Sequence, residues 1–170
     1  MSTAEITLEL PDEQATDALG ARLAHTLLKN IKPNKINDLG NSAGAAIYLR
    51  GDLGAGKTAL TRALLRAAGV TGRIKSPSYA LLESYKVSSL YFYHIDFYRF
   101  NDSSEWQDAG FREIFRPDAV VLIEWPEKAG DQLPPPDLMI SLSYSGEGRT
   151  ARIQAQTKRG AAWLTTLSEQ

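Results

Sequence analysis

Apolar residues along the chain recur at two spacings, every second position or every third to fourth position. Ile6, Leu8 and Leu10 alternate with polar residues and predict a half-buried strand that ends at Pro11. Asp12 can cap a helix that follows this strand. The apolar residues of that helix recur at helical spacing: Ala15, Leu19, Leu23 and Leu27. The pattern therefore predicts a strand followed by a helix.

A second strand and helix flank a glycine-rich segment. Residues 45–49 form a short apolar run typical of a buried strand. Residues 58–68 have a helical pattern that ends at Gly69. The polar stretch 32–44 before this strand predicts a loop.

The second half of the chain is dominated by extended segments. Residues 79–87 and 90–97 are rich in aromatic and aliphatic side chains, and both predict strands. A short helix is expected around Trp106. Residues 119–123 are apolar throughout, as central strands of α/β sheets are.

The C-terminal segments predict a hairpin and a helix. Residues 138–144 and 151–155 alternate between apolar and polar positions and flank the turn sequence Ser-Gly-Glu-Gly at 145–148. Residues 160–167 predict a closing helix. No linker or repeat divides the chain, so we expect a single α/β domain over 1–170.

Composition narrows the function only slightly. The chain has 170 residues, a net charge of -1 and 23% charged residues, which gives no general attraction to nucleic acid or membrane. It has no cysteine, which excludes disulfides and thiolate metal sites. Its only histidines are His25 and His94, so a histidine-rich metal site is not expected. Neither a signal peptide nor an apolar stretch long enough to cross a bilayer is present, so a cytoplasmic protein is expected.

The segment 51–58 carries the clearest chemical signal. Its sequence Gly-Asp-Leu-Gly-Ala-Gly-Lys-Thr matches G-x-x-x-x-G-K-[ST], between a predicted strand and a predicted helix. Glycines allow the tight turns that aim backbone N–H groups at a phosphate, and the helix N-terminus adds partial positive charge. Lys57 would contact the β- and γ-phosphates, and the Thr58 hydroxyl would bind Mg²⁺. We therefore expect an α/β fold of the P-loop NTPase type, with a mostly parallel central sheet flanked by helices and a C-terminal antiparallel hairpin.

Magnesium in such a site needs a carboxylate at the end of a neighbouring strand. Asp96 and Glu124 each end an apolar run and are the candidates. An ion pair with Arg99 is the alternative for Asp96, and a solvated strand end is the alternative for Glu124. The hydroxyl-rich segment Ser76-Pro77-Ser78-Tyr79 could sense a γ-phosphate as a switch loop does, although an ordinary turn fits equally well.

Four sequence blocks in this order resemble the bacterial TsaE family. They are Gly-Asp-Leu-Gly-Ala-Gly-Lys-Thr at 51–58, Lys-Ser-Pro-Ser-Tyr at 75–79, His-Ile-Asp-Phe-Tyr-Arg at 94–99 and Ile-Glu-Trp-Pro-Glu at 123–127. The resemblance extends from about residue 12 to the C-terminal hairpin. It implies a small ATPase with weak, partner-regulated hydrolysis, needed to make threonylcarbamoyladenosine next to the anticodon of tRNA.

The resemblance also implies roles for individual residues. Asp96 resembles the family's Walker B-type acid, and Glu124 resembles its glutamate near the metal and the attacking water. The expected catalytic residues are Lys57, Asp96 and Glu124, and the expected Mg²⁺ ligands are Thr58, Asp96 and Glu124. The expected ATP-binding residues are Thr16, Gly51, Asp52, Leu53, Gly54, Ala55, Gly56, Lys57, Thr58, Ala59, Ser76, Ser78, Trp125 and Arg149. Ala59 departs from the family, which commonly has a hydroxyl residue there, but its backbone N–H can still serve the α-phosphate.

The implied partners are TsaD and TsaB, which perform the transfer with an adenylate from a TsaC-type enzyme. The resemblance further implies that this protein docks on the TsaB–TsaD complex and that its ATP hydrolysis resets that complex between turnovers. Contact with tRNA is expected only through the complex, and neither a membrane nor DNA is an expected partner.

Other functions remain compatible with parts of the sequence. A small-molecule kinase would need an arginine-bearing lid, for which Arg112 and Arg116 are candidates. A GTPase would need an N-K-x-D signature, and the segment Asn-Lys-Ile-Asn at 34–37 lacks its aspartate. A binding module could hold ATP without meaningful turnover. Direct RNA contact could use the basic residues near the C-terminus, Arg149, Arg152, Lys158 and Arg159, although a solvated edge explains them better.

Overall fold

The computed structural model describes residues 4–31, 44–77, 81–100 and 110–169. The strands are β1 (Glu5–Leu10), β2 (Ala45–Arg50), β3 (Leu82–Val87), β4 (Leu90–Asp96), β5 (Ala119–Glu124), β6 (Leu138–Ser145) and β7 (Gly148–Ala155). The helices are α1 (Glu13–Asn30), α2 (Lys57–Ala68) and α3 (Lys158–Ser168), with 3₁₀ turns at Phe111–Ile114 and Pro126–Gln132. These elements confirm the predicted α/β fold. The predicted helix around Trp106 and most of the predicted 32–44 loop lie outside the described residues.

The strands form one seven-stranded sheet in the order β1-β7-β6-β2-β5-β4-β3. The four middle strands, β6, β2, β5 and β4, run parallel to one another. At the two edges the strands pair in antiparallel fashion. On one side β7 pairs with β6 and β1 pairs with β7, and on the other side β3 pairs with β4. The predicted parallel centre and C-terminal hairpin are therefore both confirmed. The glycine-rich segment follows β2, in the middle of the sheet.

Alternating side chains of β5 supply two separate cores, one on each face of the sheet. Val120 and Leu122 pack into the core that contains residues of α1, α2 and α3. Val121 and Ile123 pack into the opposite core, which is rich in phenylalanine. Because both faces are covered, β5 is apolar throughout, as the sequence predicted. Position 124 continues the alternation and falls on the same face as Val120 and Leu122.

Local signals set the ends of the first two helices. The Asp12 carboxylate accepts a hydrogen bond from the Ala15 backbone N–H at 2.8 Å, which confirms the predicted N-cap. Gly69 ends α2 in the left-handed conformation, with φ of 112°. The two helices also touch closely, because a Cβ added to Gly20 would lie 2.5 Å from the Ala63 Cβ. The close contact holds α1 beside the helix that follows the glycine-rich segment.

Asp137 joins three parts of the fold from a buried position. Its carboxylate accepts hydrogen bonds from the Ala46 backbone N–H at 2.9 Å and from the Thr157 hydroxyl at 2.6 Å. It also accepts two from the Arg159 guanidinium, at 2.7 and 2.9 Å. The carboxylate therefore ties the start of β6 to the start of β2 and to the N-terminus of α3. Nothing in the sequence singled it out.

None of the helices in the described part of the chain is long and apolar enough to span a membrane.

Candidate functional site

The glycine-rich segment 51–58, the predicted phosphate-binding motif, forms a loop between β2 and the first turn of α2. The loop lies at the carboxyl ends of the parallel strands, where α/β proteins bind their ligands. Gly56 precedes the helix in the left-handed conformation, with φ of 106°, which glycine adopts without strain. The first backbone N–H groups of a helix have no partner within the helix and can bind an anion. The predicted strand–loop–helix arrangement is present.

Lys57 lies almost buried inside the loop, with 5% of the residue exposed. Its Nζ donates hydrogen bonds to the carbonyl of Gly51 and, at 3.0 Å, to that of Asp52. It also lies 4.5 Å from the centre of the Trp125 ring. Burial lowers the pKa of the Lys57 ammonium, whereas nearby carboxylates, chiefly Glu124, oppose that shift. The ammonium group is thus held at the loop by contacts that a phosphate could replace.

Glu124 occupies the centre of the site and is only 2% exposed. Its two carboxylate oxygens lie 3.0 and 3.1 Å from the Thr58 hydroxyl. Its Oε2 also lies 2.5 Å from Nε2 of His94. The alternative of a solvated strand end is therefore wrong. The alternation of β5 aims position 124 at α2, and buried carboxylates need such partners.

Asp96 stands beside Glu124, since the two residues are register partners on β4 and β5. Its Oδ1 accepts a hydrogen bond from the Tyr98 backbone N–H at 2.8 Å. Burial raises the pKa of the Asp96 carboxyl, and the charge of Glu124 adds to that shift. The Tyr98 N–H, His94 and Lys57 act in the opposite direction. An ion pair with Arg99 stays a prediction. The structure brings Asp96 and Glu124 together at neighbouring strand ends. Of these two acids, Glu124 is the one that accepts the hydrogen bond from the Thr58 hydroxyl.

Trp125 adopts a strained backbone conformation immediately after Glu124. Its φ of 57° and ψ of 49° are left-handed, which costs a residue other than glycine about 1–2 kcal/mol. Its ring lies 5.0 Å from the ring of Tyr98, centre to centre, and faces the Lys57 ammonium. Strain of this kind clusters at functional sites and motivates a functional role for the tryptophan.

Two adjoining cavities contain most of the predicted site residues. The smaller, of about 400 Å³, is lined by Leu53, Gly54, Gly56, Lys57, Thr58, Ala59, Ser76, Asp96, Tyr98, Arg99, Glu124 and Trp125. The larger, of about 1080 Å³, includes Thr16 and Arg149 and shares Gly54, Gly56 and Ala59 with the smaller one. The start of α2 therefore separates the cavity that contains Asp96 and Glu124 from a larger one that contains Thr16 and Arg149. Ser78 lies outside the described residues.

The remaining predicted residues, Gly51, Asp52 and Ala55, make contacts within the loop itself. Gly51 and Asp52 present their carbonyls to Lys57, and neither lines either of these two cavities. Ala55 is buried, and its backbone N–H donates to the carbonyl of Asp52 at 3.0 Å. These residues keep the loop closed around the lysine.

The C-terminal hairpin holds the outer side of the loop. Tyr144 and Arg149 are cross-strand partners, and the guanidinium lies 4.3 Å from the centre of the tyrosine ring. The Tyr144 hydroxyl donates to the Leu53 carbonyl at 2.8 Å, and Arg149 donates to the Gly54 carbonyl at 3.2 Å. A side chain at Gly54 would lie 2.7 Å from the Tyr144 hydroxyl. The pair fixes two carbonyls of the loop, a role for Tyr144 that sequence reasoning missed.

Replacing Tyr144 with Phe is expected to weaken the predicted binding of a nucleotide at this loop by about two- to tenfold. The substitution removes one hydrogen bond to the Leu53 carbonyl, and such a bond contributes about 0.5–1.5 kcal/mol. Calorimetric titration with ADP measures the effect. Tyr93→Phe is the control, because its hydroxyl instead accepts from Arg116 at 2.9 Å. Equal affinities of the two variants would contradict a role for the hairpin in shaping the loop.

Several basic residues that supported rival functions are engaged elsewhere. Arg116 pairs with Asp118 and lies 4.9 Å from the centre of the Tyr91 ring, and it lines neither cavity. Arg152 pairs with Glu5 on the neighbouring strand. Arg159 pairs with buried Asp137, so the description of these C-terminal residues as a solvated edge is incomplete. The segment 34–37 lies outside the described residues.

Comparison with known proteins decides the family. The sequence model of a family described as threonylcarbamoyl adenosine biosynthesis protein TsaE matches residues 10–153. The chain belongs to the TsaE family. The resemblance inferred from the four sequence blocks is therefore confirmed. The matched TsaE region contains all three predicted catalytic residues.

Individual TsaE relatives match over most of the chain. A tRNA threonylcarbamoyladenosine biosynthesis protein TsaE of Haemophilus influenzae is 37% identical, covering 96% of this chain and 98% of its own length. A protein of the same name from Synechocystis is 37% identical over 74% of this chain and 72% of its own length. The crystal structure of YdiB from Bacillus subtilis superposes with a TM-score of 0.75 at 25% identity, covering 99% of this chain and 97% of that one. The fold described above is thus shared with a solved structure.

Proposed function

We propose that this protein binds ATP with Mg²⁺ and hydrolyses it weakly in support of threonylcarbamoyladenosine modification of tRNA. One observation carries the proposal: the Thr58 hydroxyl of the phosphate-binding motif lies 3.0 Å from the buried carboxylate of Glu124. This contact joins the motif to an acid at the end of the adjacent parallel strand. P-loop NTPases need that combination to hold a nucleotide phosphate together with a metal ion.

The two cavities suit the two ends of a nucleotide. The triphosphate would lie at the loop, with Lys57 exchanging its carbonyl partners for phosphate oxygens. The nucleoside would extend into the larger cavity, past Ala59 toward Thr16 and Arg149. A volume of about 1080 Å³ is ample for adenosine. Ser76 lines the phosphate side of the site, where a switch segment would contact the γ-phosphate.

The oxygen donors at the site fit Mg²⁺, which prefers hydroxyl, carboxylate and phosphate oxygens. Thr58 would contribute its hydroxyl, and Glu124 and Asp96 would contribute carboxylates directly or through water. Bound Mg²⁺ would neutralise charge that develops on the β- and γ-phosphates. The raised pKa of Asp96 suits a carboxyl whose negative charge would be stabilised by a cation. Glu124 would orient the attacking water or accept its proton.

The biological role follows from the names of the relatives. Those from Haemophilus influenzae and Synechocystis are described as tRNA threonylcarbamoyladenosine biosynthesis proteins. We propose that this chain acts with TsaB and TsaD, and that ATP hydrolysis resets their complex between turnovers. Contact with tRNA would be indirect. Arg152 and Arg159 support this, since both already pair with carboxylates of the chain.

Reconstitution of tRNA modification with TsaB and TsaD tests the proposal. Turnovers per complex are counted with wild-type protein, with Asp96→Ala and Glu124→Ala, and with Asp118→Ala as a control at a partly exposed carboxylate that pairs with Arg116. We expect repeated turnovers for wild type and control, and about one turnover for the two site variants, which should still bind the complex. Equal turnover without this protein would refute the reset role. Repeated turnover by both site variants would refute the need for hydrolysis.

Product analysis separates ATP hydrolysis from a kinase reaction. Phosphate released to water is measured against phosphate transferred to nucleosides and small alcohols. ATP and GTP are compared as competitors. Transfer to an acceptor, or preference for GTP, would contradict the proposed ATPase activity.

A further inference from the structure

We propose that His94 is a positioning residue that fixes the carboxylate of Glu124 for ATP hydrolysis. The inference rests on the proposed ATPase function and adds a residue to it. Position 94 belongs to a sequence block that resembles the family, yet neither the sequence nor the proposed mechanism gave the imidazole a task. Its geometry assigns one.

The alternation of β4 aims His94 at the site. Leu90 and Phe92 pack into the core shared with α2, and position 94 continues on that face with Asp96 beyond it. The register pairs His94 with Leu122 and Asp96 with Glu124. The imidazole therefore reaches Glu124 diagonally from the neighbouring strand, while Thr58 reaches the same carboxylate from α2.

The imidazole is completely buried, at 0% exposure. Its Nε2 lies 2.5 Å from Oε2 of Glu124. A carboxylate can only accept, so Nε2 carries the hydrogen and donates it. Nδ1 is also buried and has no hydrogen-bond partner among the described residues. Buried polar atoms are normally paired, so an imidazole here costs stability that an apolar side chain would not.

The hydrogen bond to Glu124 is the functional contribution of the imidazole. A carboxylate rotates about a broad, roughly two-fold torsion, so one hydrogen bond does not fix its plane. The Thr58 hydroxyl lies at nearly equal distances from both oxygens, 3.0 and 3.1 Å, and leaves that rotation open. The hydrogen bond from His94 distinguishes Oε2 from Oε1. With Oε2 held, the position of Oε1 is fixed as well, in a residue that lines the smaller cavity.

This arrangement predicts an effect on turnover and little effect on nucleotide binding. The phosphates would be held by the loop, Lys57 and the first turn of α2, and the described residues there form no hydrogen bond with His94. Partners that orient a functional ligand typically change activity by about 10–100-fold when removed. His94→Leu is therefore expected to lower kcat by about 10–100-fold while KM for ATP changes by less than about threefold.

A conservative variant separates positioning from general structural support. Glutamine can place an amide N–H near the position of imidazole Nε2, so His94→Gln should keep kcat within about fivefold of wild type. His25→Gln is the matched control, because His25 is the only other histidine in the sequence and lies on α1. Equal losses in the Leu and Gln variants, or parallel changes in kcat and KM, would overturn the positioning role.

A second measurement needs no catalytic activity. Long-range ¹H–¹⁵N spectra report which imidazole nitrogens carry a proton, and the His25→Gln variant leaves only the signals of His94. We expect a protonated Nε2 that is protected from solvent exchange, and a shift of these signals in Glu124→Gln. A proton on Nδ1 alone, or signals insensitive to Glu124→Gln, would overturn the proposal.

The two measurements distinguish failure of the proposed ATPase function from failure of the proposed role of His94. If wild-type protein releases no phosphate from ATP, the proposed function fails, while the spectra still test the contact between His94 and Glu124. If wild type hydrolyses ATP and His94→Leu, folded by its thermal unfolding curve, does so at the wild-type rate, the positioning role fails alone. If His94→Leu does not fold, His94→Gln and the spectra decide.

Discussion

Replacing Glu124 with Gln is expected to lower kcat for ATP hydrolysis by about a hundredfold or more while the protein still binds ADP. The substitution keeps the size of the side chain and removes its negative charge and its capacity to accept a proton. The carboxylate lies 3.0 Å from the Thr58 hydroxyl, where it can act on a metal ion or on water. Glu124 forms no hydrogen bond or ion pair with the loop carbonyls or with Lys57, although its charge acts on the Lys57 ammonium, so phosphate binding should persist.

Steady-state phosphate release and ADP titration measure the two effects separately. Glu127→Gln is the matched control, because this glutamate lies three positions away and pairs with Arg50 at 3.7 Å on the exposed surface. We expect the control to hydrolyse ATP within about twofold of wild type. A Glu124→Gln variant with the activity of the control would show that the buried carboxylate does not take part in hydrolysis. Loss of ADP binding would point to a structural role instead.

The parts of the site that neighbouring residues determine were predictable from the sequence. The loop at 51–58 follows β2 and opens α2, because glycines, the apolar run at 45–49 and the helical pattern after Thr58 are all local signals. The hairpin of β6 and β7 and the buried strand β5 were predictable for the same reason. Each of these features is visible in a window of about ten residues.

The relations between distant segments were not predictable in the same way. Asp96 and Glu124 were both expected near the metal, but only the strand order reveals that the Thr58 hydroxyl lies against Glu124. The left-handed backbone of Trp125 has no sequence signal, because residues other than glycine rarely adopt it. His94 is a polar residue within the aromatic and aliphatic run from Leu90 to Ile95, a pattern that by itself also describes a core histidine. The order of strands in the sheet therefore supplied what residue spacing could not.

The hydrogen bonds accepted by the buried Asp137 carboxylate predict the largest effect of a substitution on stability. Asp137→Ala is expected to lower the free energy of unfolding by about 3 kcal/mol, the lower end of the range for breaking a buried ion pair. The carboxylate is 1% exposed, and its removal leaves the Ala46 N–H and the Thr157 hydroxyl without this acceptor. Arg159 is 35% exposed in its side chain and can regain water, which limits the cost. Urea unfolding followed by circular dichroism measures the change.

A surface ion pair of the same length provides the control. Arg152 Nε lies 2.7 Å from Glu5 Oε2, and Arg159 Nε lies 2.7 Å from Asp137 Oδ1. The side chains of the first pair are 53% and 42% exposed, so Glu5→Ala should cost less than about 1 kcal/mol. A similar loss in both variants would mean that burial of Asp137 adds nothing. A larger loss for Asp137→Ala would show that the strand leading into the phosphate loop is anchored at its far end by this carboxylate.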